Sequence, residues 1–156
     1  FLSAFVPGMS GCLADTSITQ SLDPKVTVLL TEINQERAQR GLAKLTYDSH
    51  LATAALKHAR EQMARNGLDH QSLNGDSVSD RVGHTGYSWS FVAENLAAGR
   101  ESARETVVDW INSPGHRDNM FSTKATQFGA AYLGRLRTDH NDLGHFWVLV
   151  LAAPLH

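Results

Sequence analysis

Asp109-Trp110-Ile111-Asn112-Ser113-Pro114-Gly115-His116-Arg117-Asp118-Asn119-Met120, DWINSPGHRDNM, reads as a helix end running straight into a polar hook. Just upstream, over roughly 101–112, Ala103, Val107, Val108 and Ile111 recur at helical spacing with Trp110 beside them, so the pattern predicts one apolar stripe against a core. Ser113-Pro114-Gly115 is expected to stop that helix. Proline lacks an amide hydrogen and pushes its predecessor out of the helical region, and glycine accepts the positive φ that helix exits often need. His116 and Arg117 then stand at a fixed bend. A histidine so placed is either a ligand or acid/base group, or a structural hook whose ring bonds a backbone carbonyl.

The chain around this stretch has 156 residues, enough for one domain with a real core. With 42% hydrophobic and 19% charged residues and a formal net charge of -2, it has neither the composition of a disordered chain nor the basic surface of a nucleic-acid binder. No apolar run approaches the about 20 residues that span a bilayer. The single cysteine cannot form an internal disulfide. Cys12 ends Met9-Ser10-Gly11-Cys12 after the apolar start FLSAFVPG, which resembles the lipobox of bacterial lipoproteins, where the cysteine carries lipid after cleavage. Residues 1–21 are accordingly expected to be a signal remnant or lipoprotein tether, and residues 22–156 a single folded domain.

In chain order, Asp23 caps a helix with Pro24 in its first turn, and Val26, Leu29, Leu30, Ile33 and the stem of Arg37 follow helical spacing to Arg40-Gly41. A short extended piece, 44–47, leads to Asp48, the cap of a second helix carrying Leu51, Ala54, Ala55, His58, Ala59 and Met63 and ending at Gly67. His58 on that stripe reads as a core histidine bonded to a carbonyl. His70, just past the exit, is not needed for packing and is free to face a cleft. Residues 74–87 turn loop-rich around a short helix at 78–82, with His84 in solvent. In Val92-Ala93-Glu94-Asn95-Leu96-Ala97 a carboxylate is enclosed by apolar neighbours and must find a cation or hydrogen-bond donors, either as a cleft residue or as a buried anchor. Residues 127–136 and 144–152 are rich in β formers around a polar turn, an antiparallel hairpin whose second strand, apolar at consecutive positions 146–151, is covered on both faces. Helices on both sides of an antiparallel sheet follow.

Four stretches in this order resemble the CAP superfamily of cysteine-rich secretory proteins, antigen 5 and plant pathogenesis-related proteins, in its bacterial form: LLTEINQERAQRGLAKLTYD from Leu29, Asp69-His70, Ala93-Glu94-Asn95-Leu96, and the Trp110–Met120 segment. The resemblance implies an α+β fold, a three-layer α-β-α sandwich with a central antiparallel sheet, and an extracytoplasmic home, secreted or periplasmic, with lipid anchoring through Cys12 as the route to a membrane. It also implies a cleft of two histidines and two glutamates, in which the histidines of several members hold a divalent metal. His70 matches the first histidine and Glu94 the glutamate of the ENL motif. The second glutamate falls at Ser113, so the set is incomplete here. The second histidine matches either His116 of the SPGHR segment or His145 of Gly144-His145-Phe146. Aligning the late strand on the bacterial YWTQ pattern instead shifts it by one residue, which reverses the face, and a strand apolar on both sides carries no parity signal. His116 is the favoured partner of His70.

Two imidazoles and a carboxylate suit zinc or another divalent cation, with water in the open positions. There is no HExxH helix and no GxSxG elbow, so neither a zincin nor a serine hydrolase is indicated. The leading expectation is a binding module whose cleft, His70, Glu94, Ser113, His116 and His145, takes a metal and a small-molecule or lipid ligand or an extracellular protein. The alternatives are a metal-dependent hydrolase of peptide or cell-wall material with Glu94 as general base, and a structural domain without metal.

Overall fold

The computed structural model describes residues 22–156; the expected tether and Cys12 lie outside the described residues. The first helix, α1 (Pro24–Gln39), starts where the sequence indicates: the Asp23 carboxylate accepts from Lys25 N at 2.7 Å, and proline occupies the first turn, where a missing amide costs nothing. Val26, Leu29, Leu30 and Ile33 go into the core. Arg37 goes further than its stem. Its whole side chain is buried, and the guanidinium donates to Ala43 O at 2.9 Å, Met120 O at 2.8 Å and Ser122 O at 3.1 Å.

β1 (Thr46–Tyr47) is followed by α2 (Ser49–Arg65), capped by Asp48, whose Oδ1 accepts from His50 N and Leu51 N. The expected stop at Gly67 comes one residue sooner. Asn66 takes the left-handed conformation, φ 48°, and its side chain bonds Asn141 O at 2.8 Å and Leu143 N at 3.0 Å, so a distant loop selects asparagine for that position. α3 (Val78–His84) opens with a reciprocal capping box between Ser77 and Asp80. His84 is exposed, as expected, beside Asp76.

β2 (Trp89–Ala98) carries Glu94. α4 (Ala103–Ile111) buries Ala103, Val107 and Trp110, but Val108, assigned to the apolar stripe, stands 47% exposed, because the true stripe passes through Thr106. Ser113-Pro114 ends α4 and also starts another helix, α5 (Pro114–Met120), with proline at its first position. His116 therefore sits in the first turn of a helix and not on a bend leaving one. The signals that block a helix from the left permit one to the right.

β3 (Gln127–Gly134) and β4 (His145–Pro154) form the expected antiparallel hairpin, and β4 also pairs antiparallel with β2, giving the order β1-β3-β4-β2. β1 joins β3 in parallel, so the sheet is antiparallel except at that edge. Central β4 is buried on both faces. Trp147, Leu149 and Leu151 meet α1 and α4, whereas Val148, Val150 and Ala152 meet α2 and α3. The three layers follow from this alternation.

Candidate functional site

Strand β2 lies at the edge of the sheet, and its register fixes what Glu94 can reach. Glu94 is opposite Val150, whose side chain points toward α2 and α3, so its carboxylate enters that layer; Asn95, opposite Leu149, points to the α4/α5 layer. An edge strand leaves carbonyls unpaired, and here the WINSPGHRDNM segment covers them. Asn119 Nδ2 donates to Glu94 O at 3.3 Å, and Trp110 Nε1 donates to Leu96 O at 3.0 Å. Asn95 Nδ2 in turn donates to His116 O at 2.9 Å, and Asn119 Nδ2 to Asn95 Oδ1 at 2.9 Å. Two asparagines and a tryptophan thus tie α5, and His116 with it, to the strand that carries Glu94.

From the other layer comes His70. His58, fully buried in α2, bonds Asp69 O at 2.8 Å through Nε2 and faces Glu61 at 3.1 Å through Nδ1. The carbonyl-bonded core histidine expected at 58 is therefore what the fold contains. Gln62 completes the clamp, accepting from Asp69 N at 2.7 Å and donating to Asp69 O at 2.9 Å. With Asp69 pinned on both backbone groups, the next residue is aimed. His70 Nδ1 sits 2.9 Å from Glu94 Oε1, and Nε2 has no hydrogen-bond partner among the described residues.

Glu94 is 5% exposed, and its counter-charge is Arg81, a residue outside the expected set. Arg81 Nη2 donates to Glu94 Oε2 at 2.5 Å, and Nη1 donates to His70 O at 2.9 Å, Asp76 O at 3.0 Å and Ser72 Oγ at 3.2 Å. The signal available beforehand was indirect. A carboxylate in apolar company needs a cation, and Arg81 lies next to Val82, the apolar residue that this short helix buries.

The electrostatics separate the two histidines. The hydrogen bond to Glu94 holds the His70 imidazolium together and raises its pKa above the usual histidine value. Burial lowers that of His116, and the charge of nearby His70 lowers it further. His116 also lies tilted against Trp110, ring centroids 6.4 Å apart. His70 and His116 thus reach neighbouring residues of β2, Glu94 and Asn95, from opposite layers.

His145 is elsewhere. Paired with Gly134 at the start of β4, it shares its face with Trp147, opposite to the one Glu94 enters, and stacks on Tyr132, whose hydroxyl lies 2.8 Å from Nδ1. The register that the apolar strand hid places His145 five positions along β4 from Val150, the partner of Glu94, and so outside the cleft. Ser113 caps no amide through its side chain and is not among the hydrogen-bond partners of Glu94. Among the described residues no group of three or more His, Cys, Asp or Glu side chains is arranged to hold a metal. Concavity and chemistry also part company. A groove of about 650 Å³, lined by Val26, Ala52, Leu56, Ala131, Tyr132 and Leu133, follows the other edge of the sheet, along β3 beyond the two-residue β1.

The cysteine-rich secretory protein (CAP) family model matches residues 30–151. The Bacillus subtilis (strain 168) protein YkwD is 31% identical over 118 residues, covering 76% of this chain and 46% of the relative. The membrane protein YlbC of the same organism is 30% identical over 101 residues, 65% of this chain and 29% of its own. The chain therefore spans less than half the length of these Bacillus relatives. The fold is that of an outer surface protein from Borrelia burgdorferi, with a TM-score of 0.77 at 23% identity over 86% of this chain and 96% of that one. An extracellular SCP-domain protein from Bacillus anthracis superposes with a TM-score of 0.71 at 21% identity, over 82% of this chain and 40% of that one. With the family pattern covering all but the ends of the described domain, and with the sandwich, the ENL strand and the WINSPGHRDNM edge cover in place, the chain belongs to the CAP family.

Proposed function

We propose that this CAP domain is an extracytoplasmic binding module in which His70 and His116 hold a divalent cation, zinc being the best match to imidazole donors, beside β2. The observation that carries the reading is the clamp on His70: a buried carboxylate engages Nδ1 and leaves Nε2 without a partner among the described residues, on a side chain that is 63% exposed. A carboxylate behind a histidine is the arrangement that orients metal-binding imidazoles and raises their basicity. The depressed basicity of His116 favours the neutral ring that a metal requires. The donor set fits a cation with two protein ligands and the remaining positions open, a site suited to capturing a further ligand and not to bracing the fold. When bound, the metal would supply a Lewis-acidic contact for an oxygen or nitrogen of that ligand, a small molecule, a lipid or an extracellular protein. The outer-surface and extracellular character named for the Borrelia and Bacillus anthracis proteins supports an extracytoplasmic location. Cys12 would add membrane attachment through lipid.

Glu94 is a poor general base, because Arg81 engages one oxygen and His70 the other. A hydrolytic role with Glu94 as the general base consequently has no carboxylate oxygen free of a partner in this cleft. The deciding experiment is zinc titration by calorimetry near pH ~7.5, where an ordinary imidazole is neutral, with His70→Ala and His116→Ala beside the wild type. One-site binding that is lost in both variants, with unchanged circular dichroism, is the expected outcome. Wild-type protein that takes up no zinc would sink the zinc reading and leave the clamp as a purely structural network.

A further inference from the structure

Arg81 contributes no ligand to the proposed site, yet its guanidinium is where the strand, the α2 exit and the loop before α3 converge. It is 1% exposed and donates to Glu94 on one side and to His70 O, Asp76 O and Ser72 Oγ on the other. We propose that Arg81 is the positioning residue that decides, through Glu94, which nitrogen of His70 carries the proton and which is free to bind. The inference rests on the metal reading only for its consequence, not for its geometry.

The constraint is one of donor and acceptor polarity. A guanidinium only donates, so whatever group faces Nη2 must accept. As a carboxylate, Glu94 meets this demand with Oε2 and still offers an acceptor, Oε1, to His70. The neutral ring must then place its hydrogen on Nδ1, which leaves the lone pair on Nε2, in a side chain that is 63% exposed. The bonds from Nη1 to His70 O, Asp76 O and Ser72 Oγ prevent the guanidinium from turning aside to suit another partner. The polarity set at Arg81 therefore passes through two hydrogen bonds to the outer face of His70.

Glu94→Gln tests this without a change of volume. The amide has one accepting and one donating end. If Arg81 sets the polarity, the carbonyl must face Nη2 and the NH2 must face His70 Nδ1, which then becomes the acceptor. The hydrogen moves to Nε2 and the binding lone pair is lost. Long-range 1H–15N correlation of the metal-free protein, taken upward from pH ~8 until the His70 15N shifts stop moving and the ring is neutral despite its raised pKa, reads the tautomer directly. The expected result is Nδ1–H in wild type, Nε2–H in Glu94→Gln, and a relaxed mixture in Arg81→Met/Glu94→Gln, where the amide can turn freely. Wild-type Nε2–H, or a Glu94→Gln spectrum that keeps Nδ1–H, overturns the proposal. Should the double variant fail to fold, the comparison of wild type with Glu94→Gln still decides. Zinc affinity in Glu94→Gln is expected to drop about 10–100-fold, the usual range for loss of a group that orients a metal-binding histidine. If wild type binds no zinc, the metal reading fails while the tautomer comparison still decides the role of Arg81.

Discussion

Arg37 and Arg81 are the two cations among the largest fully buried side chains, and they work in different ways. Arg81 meets a carboxylate. Among the described residues Arg37 meets none and instead satisfies three carbonyls, Ala43 O, Met120 O and Ser122 O, that end a loop and α5. Burial lowers the pKa of Arg37, the direction expected for a cation removed from water without a counter-ion. Because α5 carries His116, Arg37 anchors the far end of the helix that delivers a candidate ligand. Arg37→Met keeps the stem and abandons the three acceptors. It should cost about 3 kcal/mol in urea denaturation, given the penalty of about 1–3 kcal/mol for each buried group left unsatisfied and the partial access of water to this loop. A change below about 0.5 kcal/mol, the usual scale of surface substitutions, would mean that water replaces the guanidinium.

Among the elements, α2 and β3 bring their backbones close together at Gly129. A Cβ built on Gly129 would collide with the backbone of Leu51 and Ala52, so glycine is required there by the helix lying on the strand. α2 also ends in the clamp that aims His70, through His58 and Gln62. Gly129→Ala must therefore either lift the N-terminal turn of α2 or bend β3. The expected loss of stability is about 1–3 kcal/mol, as for other overpacked interiors. Amide exchange should speed up at the start of α2 more than in β4. Uniform exchange across both elements would show that the collision is absorbed by the whole domain.

For the molecule as a whole, the β3–β4 loop closes the end of the sandwich, and Asp142 holds it. Its carboxylate accepts from Arg135 Nη2 at 3.0 Å, Thr138 N at 3.1 Å and Gly144 N at 3.0 Å. The Arg135 bond, followed by the Thr138 amide, holds the Asp142 pKa well below the usual carboxylate value. A carboxylate with a depressed folded pKa contributes stability that is fully present above its unfolded pKa and is lost as pH falls through the folded one. Stability should accordingly decline from about pH 4 downward. Asp142→Asn should lower stability at neutral pH and flatten that acid decline. Parallel curves for variant and wild type would show that the loop bonds carry no linkage.

How much of this was legible without coordinates divides by the range of the interaction. Capping residues, helical stripes and the apolar hairpin are local patterns, and Asp23, Asp48, the buried stripe of α1 and the doubly covered β4 all lie where those patterns placed them. The motifs at His70, Glu94 and 110–120 also identified the family before any contact was known. Three features needed the tertiary structure. Pro114 satisfies the rules for stopping one helix and for starting the next, and only packing of α5 against the β2 edge selects the second. The face of His145 depends on strand register, which an evenly apolar strand does not encode. The partner of Glu94 is thirteen residues away in chain order, on an element whose own spacing says nothing about which carboxylate it will meet. Short-range backbone preferences can be read from neighbours along the chain, whereas the pairing of buried charges is decided by which elements the completed core brings together.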